Sequence, residues 1–226
     1  MKKTLLTVVA LVVLGIPATA FAETFTFNAP GASGSHEFNL DHHEAYAWRI
    51  DGAKLAAGQT ITSATLTFNN IRNWDTSANM LFVHLLDSAK IAGVSSFVDA
   101  TGTPVPTNQI LDNFAGAAYG SNPLVAAGTG NTFLAQHSFG TTGQQYTITF
   151  SQAQLAALMT YIQNGNNFAF GFDPDCHFFN NGISFSYTTA PASVPEPTTM
   201  VLLGSGLAGL YLKRRRKQQA AASSEN

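Results

Sequence analysis

Apolar and polar positions alternate with period two along most of residues 23–189. Thr24 to Asn28 alternates, and Glu44 to Ile50 sets Tyr46, Trp48 and Ile50 against Ala45, Ala47 and Arg49. In the stretch TITSATLTFNN, Ala64, Leu66 and Phe68 face one way and Ser63, Thr65 and Thr67 the other. Met80 to Leu86 is nearly all apolar, the signature of a strand covered on both faces. Thr132–Phe139, Gln144–Phe150, Asn167–Phe172 and Ile183–Thr188 bring the total to about eight strands. Turn residues such as Gly143, Asn166-Asn167 and Asn180-Asn181-Gly182 separate several of them. One segment departs from this rhythm. Ser151 and Gln154 form a capping box, Leu155, Leu158, Met159 and Ile162 follow at helical spacing, and Asn164-Gly165 closes the helix. The stretch from Ala89 to Gly130 is rich in Gly, Pro and Asn and carries few strand signals, as expected of ordered loops or a lid over one end of a sheet. Many short antiparallel strands with one short helix predict a mainly β fold, an antiparallel β-sandwich of jelly-roll type, with a closed β-barrel as the alternative.

The two ends of the chain follow different patterns. Lys2 and Lys3 precede an apolar run from Leu5 to Ile16, and Ala20-Phe21-Ala22 supplies small residues three and one positions before a cut. This is the pattern of a secretory signal peptide over residues 1–22, with cleavage after Ala22. Residues 23–189 form the sandwich domain and 190–197 a Pro-rich linker. Residues 198–212 are uncharged, and residues 213–226 form a basic tail opening with Lys213, Arg214, Arg215, Arg216 and Lys217. As a helix, 198–212 covers about 22 Å at ~1.5 Å per residue, short of a ~30 Å hydrocarbon core. Snorkelling of the flanking cations closes such a gap, and the positive-inside rule keeps them cytoplasmic.

Charge narrows the function classes. The whole chain has a net charge of −2, but residues 23–195 contain only four cations, Arg49, Lys54, Arg72 and Lys90, against eleven carboxylates. A domain of net −7 with scattered cations offers no footprint for a phosphate backbone, which excludes nucleic acid as the expected partner.

Pro195-Glu196-Pro197, the short apolar span and the Arg-rich end together resemble the PEP-CTERM sorting signal of Gram-negative bacteria, over about Val194 to Lys217. The polar tail from Gln218 to Asn226 is longer than that pattern. The resemblance implies recognition by an exosortase, an integral-membrane transpeptidase-like enzyme, with removal of the span near Pro195–Pro197. It implies export across the inner membrane, transient anchoring there, and delivery to the cell surface or to a biofilm and exopolysaccharide matrix.

Candidate chemistry gathers in two places. In FGFDPDCHFFNNG, Phe168, Phe170 and Phe172 form one apolar face, and the chain then leaves the strand through Asp173-Pro174-Asp175-Cys176-His177. This segment reads either as a turn whose Asp side chains cap backbone N–H groups or as part of a metal site. Asp173, Asp175 and His177, joined by Asp41 and Asp87, form the candidate ligand set. Carboxylate oxygens favour Ca²⁺, and histidine shifts the preference toward a transition metal. Domains with PEP-CTERM signals resemble this one in an Asp-Pro-Asp-Cys-His segment, a Trp near the start (Trp48) and a Leu-Leu-Asp strand end (Leu85 to Asp87). Cys176 is the only cysteine, so no internal disulfide forms, and it is either buried and inert or available for intermolecular pairing. The second place is LDHHEAYAW. His43-Glu44 starts like the zinc-protease helix, but Ala47 stands where its second histidine belongs. Asp41 to Glu44 form either a solvated loop or a face toward the first patch across the sandwich edge. Trp74 and Tyr119 are candidates for stacking on sugar rings. There is no G-x-S-x-G, no phosphate loop and no C-x-x-C. The expectation is a non-enzymatic structural or carbohydrate-binding protein; the alternative is a carbohydrate-active hydrolase or lyase using carboxylates near Asp173 and Asp175.

Overall fold

A computed structural model of the chain describes residues 21–31, 39–98, 112–192, 204–207, 209–211 and 213–214. The chain divides into two compact units, Met1–Pro191 and Ala192–Asn226. The first holds β1 (Glu23–Asn28), β2 (Glu44–Asp51), β3 (Gln59–Asn73), β4 (Met80–Leu86), β5 (Gly93–Val98), α1 (Gly116–Ser121), β6 (Asn131–Ser138), β7 (Gln144–Thr149), α2 (Gln152–Gly165), β8 (Asn167–Pro174), β9 (Phe178–Phe179) and β10 (Ile183–Pro191).

Two antiparallel sheets form, in the orders β1-β10-β3-β7 and β5-β2-β8-β4-β6, with β9 attached to β3. Setting β5 and β9 aside, the pairing is nested: β1 with β10, β2 with β8, β3 with β7 and β4 with β6. A long hairpin folded across itself in this way is the jelly roll, two Greek keys on two sheets. The open edges distinguish it from a closed barrel. The eight strands so nested are the eight that the pattern of apolar and polar positions predicts.

The two additions have weak sequence signals. GVSSFV in β5 lies within the segment expected to be loops, and it is an edge strand of intermediate and exposed residues. β9 is only two residues long.

The core is aromatic. Phe168, Phe170 and Phe172 of β8 are fully buried and meet Phe68, Trp48 and Phe185 between the sheets. Ala169 and Gly171, on the opposite face of β8, would otherwise meet solvent. They are covered by the segment after residue 112, which packs Phe114, Leu124 and Val125 against Ala45, Ala47, Leu86 and Ala89. A Cβ at Gly171 would lie 2.8 Å from the Phe114 ring, so the absent side chain makes room for this cover. The part of the Gly- and Asn-rich stretch from residue 112 onward thus lies over the outer face of a sheet, and β4 and β8 are buried on both sides.

The helix α2 forms as its capping residues dictate. The Ser151 hydroxyl accepts the Gln154 N–H, and the Gln154 side chain accepts the Ser151 N–H. The chain turns left-handed at Asn166 (φ 56°), whose N–H bonds to the Ile162 carbonyl. Leu155, Leu158, Tyr161 and Ile162 bury one face of the helix against one end of the sandwich. β1 begins and β10 finishes at this helix end, since Glu23 pairs with Thr189. β10 continues through Ala190 and Pro191, which the sequence pattern places in the linker. At the opposite end gather residues 29–31 and 39–43 and the connections 74–79, 139–143 and 175–182.

In the second unit the described residues 204–207, 209–211 and 213–214 are helical. No helix among the described residues is long and apolar enough to cross a membrane. Ala20, Pro195, Glu196, Pro197 and Arg215 to Lys217 lie outside the described residues; Ala22, Lys213 and Arg214 lie within them and are exposed.

Candidate functional site

The loop end is organised by one short pairing. Leu40 and Phe178, both fully buried, exchange two backbone hydrogen bonds, Leu40 N–H to Phe178 O (3.0 Å) and Phe178 N–H to Leu40 O (2.8 Å). The pairing is antiparallel. The residue after Leu40 therefore lies opposite the residue before Phe178, and Asp41 meets His177. Asp41 Oδ1 is 3.1 Å from His177 Nδ1 and 3.0 Å from His42 Nδ1. The Asp41 N–H donates to the Tyr46 hydroxyl (2.9 Å), and the His177 carbonyl accepts the Trp74 N–H (3.1 Å). The buried Tyr46 phenol is pushed up from its ordinary value, chiefly by desolvation. Both backbones are thus held from the rear, with the Asp41 side chain half-exposed and the His177 ring largely covered.

Among the described residues, Asp41, His42 and His177 are the group of three or more potential metal ligands whose donor atoms lie within 4.8 Å of one another. Of the five residues predicted to share a metal, the fold brings Asp41 and His177 together. Asp173 is buried at 1% exposure and accepts hydrogen bonds from the Asn113 backbone and side-chain N–H groups. It anchors the cover over the outer sheet, alongside His84, whose ring nitrogens meet Asn131 Oδ1 (2.8 Å) and Asp112 Oδ2 (2.9 Å). Asp87 follows β4 at the helix end of the sandwich and accepts both its contacts from Asn164 Nδ2 (3.1 Å each). His42, from the loop expected either to be solvated or to face this patch, lies beside Asp41 and His177, though it is not one of the five predicted ligands.

Asp175 forms a reciprocal pair with Met80. Its N–H donates to the Met80 carbonyl, and its Oδ1 accepts the Met80 N–H at 2.5 Å. Burial raises the carboxyl above its ordinary value, against the opposing effect of these hydrogen bonds. The folded chain therefore holds this proton to higher pH than the unfolded chain. The group's contribution to stability is present below the unfolded value and is lost as pH rises through the folded one. Asparagine keeps the acceptor and removes the buried charge. Asp175→Asn is thus expected to melt no lower than the parent at pH 7. Asp175→Ala strands the Met80 N–H and is expected to cost about 1–3 kcal/mol. Thermal melts of both variants at acid and neutral pH check this; equal losses in the two would remove the Met80 bond from the account.

Cys176 is half-buried and free, and burial pushes its thiol up, so little thiolate is present at neutral pH. The two predicted stacking residues differ. Trp74 is 59% exposed, at the end of β3. Tyr119 donates its hydroxyl toward the Thr129 and Gly130 carbonyls and packs against the cover's apolar cluster, and desolvation pushes its phenol up to about 12.

An open groove of about 360 Å³ also lies at the loop end, lined by Asn28, Ala29, Asn69, Asn181, Gly182 and Ile183. Its polar lining is amide throughout and uncharged. Sequence reasoning does not find it. Asn28 ends β1, Asn69 lies within β3 and Asn181 precedes β10, and only the register of three strands unites them.

No curated protein and no solved structure matches the chain. Residues 193–217 match the model of the PEP-CTERM protein-sorting motif. The segment that follows the sandwich thus carries a sorting motif, as expected of a PEP-CTERM protein, an exosortase substrate.

Proposed function

We propose that this chain is a matrix protein: exported, sorted through the membrane by its C-terminal motif, and placed at the cell surface to bind or scaffold exopolysaccharide. The sorting motif at residues 193–217 carries the reading, because it implies export, membrane-transient sorting and processing by exosortase. In this reading residues 198–212 hold the chain at the inner membrane, Lys213 to Lys217 orient it, and Pro195 to Pro197 keep the processing segment extended. The sandwich supplies the extracellular part. Its loop end offers Trp74 as a flat apolar surface suited to stacking on a sugar ring and, separately, the Asn-lined groove as a set of neutral hydrogen-bonding groups. The acidic domain supports the same reading by disfavouring polyanions without a bridging cation.

Co-sedimentation of the purified chain with the host's own exopolysaccharide tests it. Saturable binding is expected, with Trp74→Ala weakening it about tenfold, or ~1.4 kcal/mol. Absence of binding, together with an unchanged matrix after gene deletion, would overturn the proposal. Nothing in the geometry favours a hydrolase or lyase at Asp173 and Asp175, since both carboxylates accept backbone N–H groups.

A further inference from the structure

We propose that Asp41, His42 and His177 form a three-ligand site for a divalent transition metal of the zinc type, with its remaining coordination positions open to solvent. The three candidate donor atoms are Asp41 Oδ1, His42 Nδ1 and His177 Nδ1. The two oxygen–nitrogen separations are 3.0 and 3.1 Å, and all three atoms lie within 4.8 Å. Ligands held ~2.0–2.2 Å from zinc are spaced about 3.0–3.5 Å apart, so a metal enters with small side-chain adjustments. Two imidazoles and one carboxylate do not suit Ca²⁺, which takes ~6–8 oxygens. They suit the nitrogen-preferring first-row metals.

The ligands are preorganised, although they come from segments 136 positions apart. The Leu40–Phe178 pairing fixes the two backbones face to face, and Tyr46 and Trp74 hold Asp41 and His177 from the rear. His43 takes a left-handed φ of 67°, and its ring packs edge-on against His42 at 4.4 Å, which holds the His42 ring beside Asp41. The His177 ring packs on Phe179 at 4.4 Å. Its Nε2 is enclosed and has no hydrogen-bond partner among the described residues, so Nδ1 is the nitrogen offered to a metal. A ligating histidine normally donates its second N–H to an outer partner, and loss of such partners weakens metal sites ~10–100-fold. Among the described residues His177 has no such partner, which places this site at the weak end of its class. Asp41 and His42 have side chains 53% and 49% exposed, so the outer positions of the metal face water or an incoming oxygen ligand. Three protein ligands with an open side are the arrangement of an exchangeable site, not of a closed structural one. The inference does not depend on whether the sandwich binds polysaccharide.

The test uses the full-length chain carrying no polyhistidine tag, titrated with Zn²⁺, Ni²⁺, Ca²⁺ or Mg²⁺ alone. Calorimetry and metal analysis after dialysis measure binding, and thermal melting provides a second readout. One equivalent of Zn²⁺ or Ni²⁺ per chain is expected, with a rise in melting temperature and no comparable effect of Ca²⁺ or Mg²⁺. His42→Ala and Asp41→Asn are expected to weaken the binding by more than tenfold. Both positions are half-exposed, so these variants test the ligands with little disturbance of the fold. His177→Ala also removes the ring packed on Phe179, and the test does not rest on it. The proposal is overturned if Zn²⁺ and Ni²⁺ bind at less than one equivalent, if binding survives both substitutions unchanged, or if Ca²⁺ binds there in preference.

Discussion

Phe170→Ala is expected to destabilise the sandwich by about 3–5 kcal/mol, the range for emptying a large aromatic site in a core. Phe170 is fully buried in β8, between β2 and β4. Its ring meets Phe185 at 4.9 Å, Trp48 at 5.6 Å, Phe168 at 5.7 Å, Phe172 at 6.2 Å and Phe150 at 6.5 Å. Those neighbours come from both sheets and are themselves pinned by ladder pairing. The space therefore closes only partly when the ring is removed. Against a native stability of ~5–15 kcal/mol the loss is a large fraction. At ~2–4 °C per kcal/mol for a domain of this size, the melting temperature falls by about 6–20 °C. Urea denaturation checks the prediction: the midpoint should fall with an unchanged slope. Ile91→Ala, at a side chain 58% exposed, serves as control and is expected within ~0.5 kcal/mol of the parent. A loss below ~1 kcal/mol for Phe170→Ala would mean that the aromatic layer repacks freely.

Deleting residues 193–217 is expected to change where the protein resides and what mass it has. The parent should appear at the surface with its C-terminus shortened near Pro195–Pro197, whereas the deletion should be exported and released without that cut. Converting Lys213 to Lys217 to glutamine should act in the same direction through charge alone. Each cation near an anionic leaflet contributes ~1 kcal/mol, so five of them contribute about 5 kcal/mol toward orientation and retention. Cell fractionation combined with intact-mass measurement reads both effects. If the parent keeps the full mass of residues 23–226 and the deletion fractionates identically, the motif is not processed.

Different parts of the protein were legible in the sequence for different physical reasons. The sorting motif is a linear signal, readable because its recognition depends on order along the chain. Most of the eight nested strands were legible because one-sided burial writes itself as alternation, as Ala64, Leu66 and Phe68 show, and β4 because burial on both faces leaves an unbroken apolar run. β5 escaped because its half-exposed residues produce no such contrast, and β9 because two residues carry no period. Asp173 looked like a ligand because carboxylates in a turn look alike in sequence. Its partner Asn113, which gives it an architectural role, lies 60 positions away. His42 was legible as part of a loop facing the first patch but not as a ligand, for the converse reason. Nothing local indicates that Leu40 pairs with Phe178, and that pairing alone turns Asp41, His42 and His177 into neighbours.

The placement of β10 bears on how the domain carries force. The strand sits between β1 and β3, starts at the loop end and leaves at the helix end toward the sorting segment. When the chain is held beyond Pro191 and pulled through a ligand at the loop end, tension runs parallel to the strand axis. The ladder bonds of β10 lie across that axis, to β1 on one side and β3 on the other. They are loaded together in shear and share the strain, where a pull across the strands would peel them apart one at a time. Because β10 leaves the sandwich at the end opposite the loops, such a pull sets both of its ladders in shear.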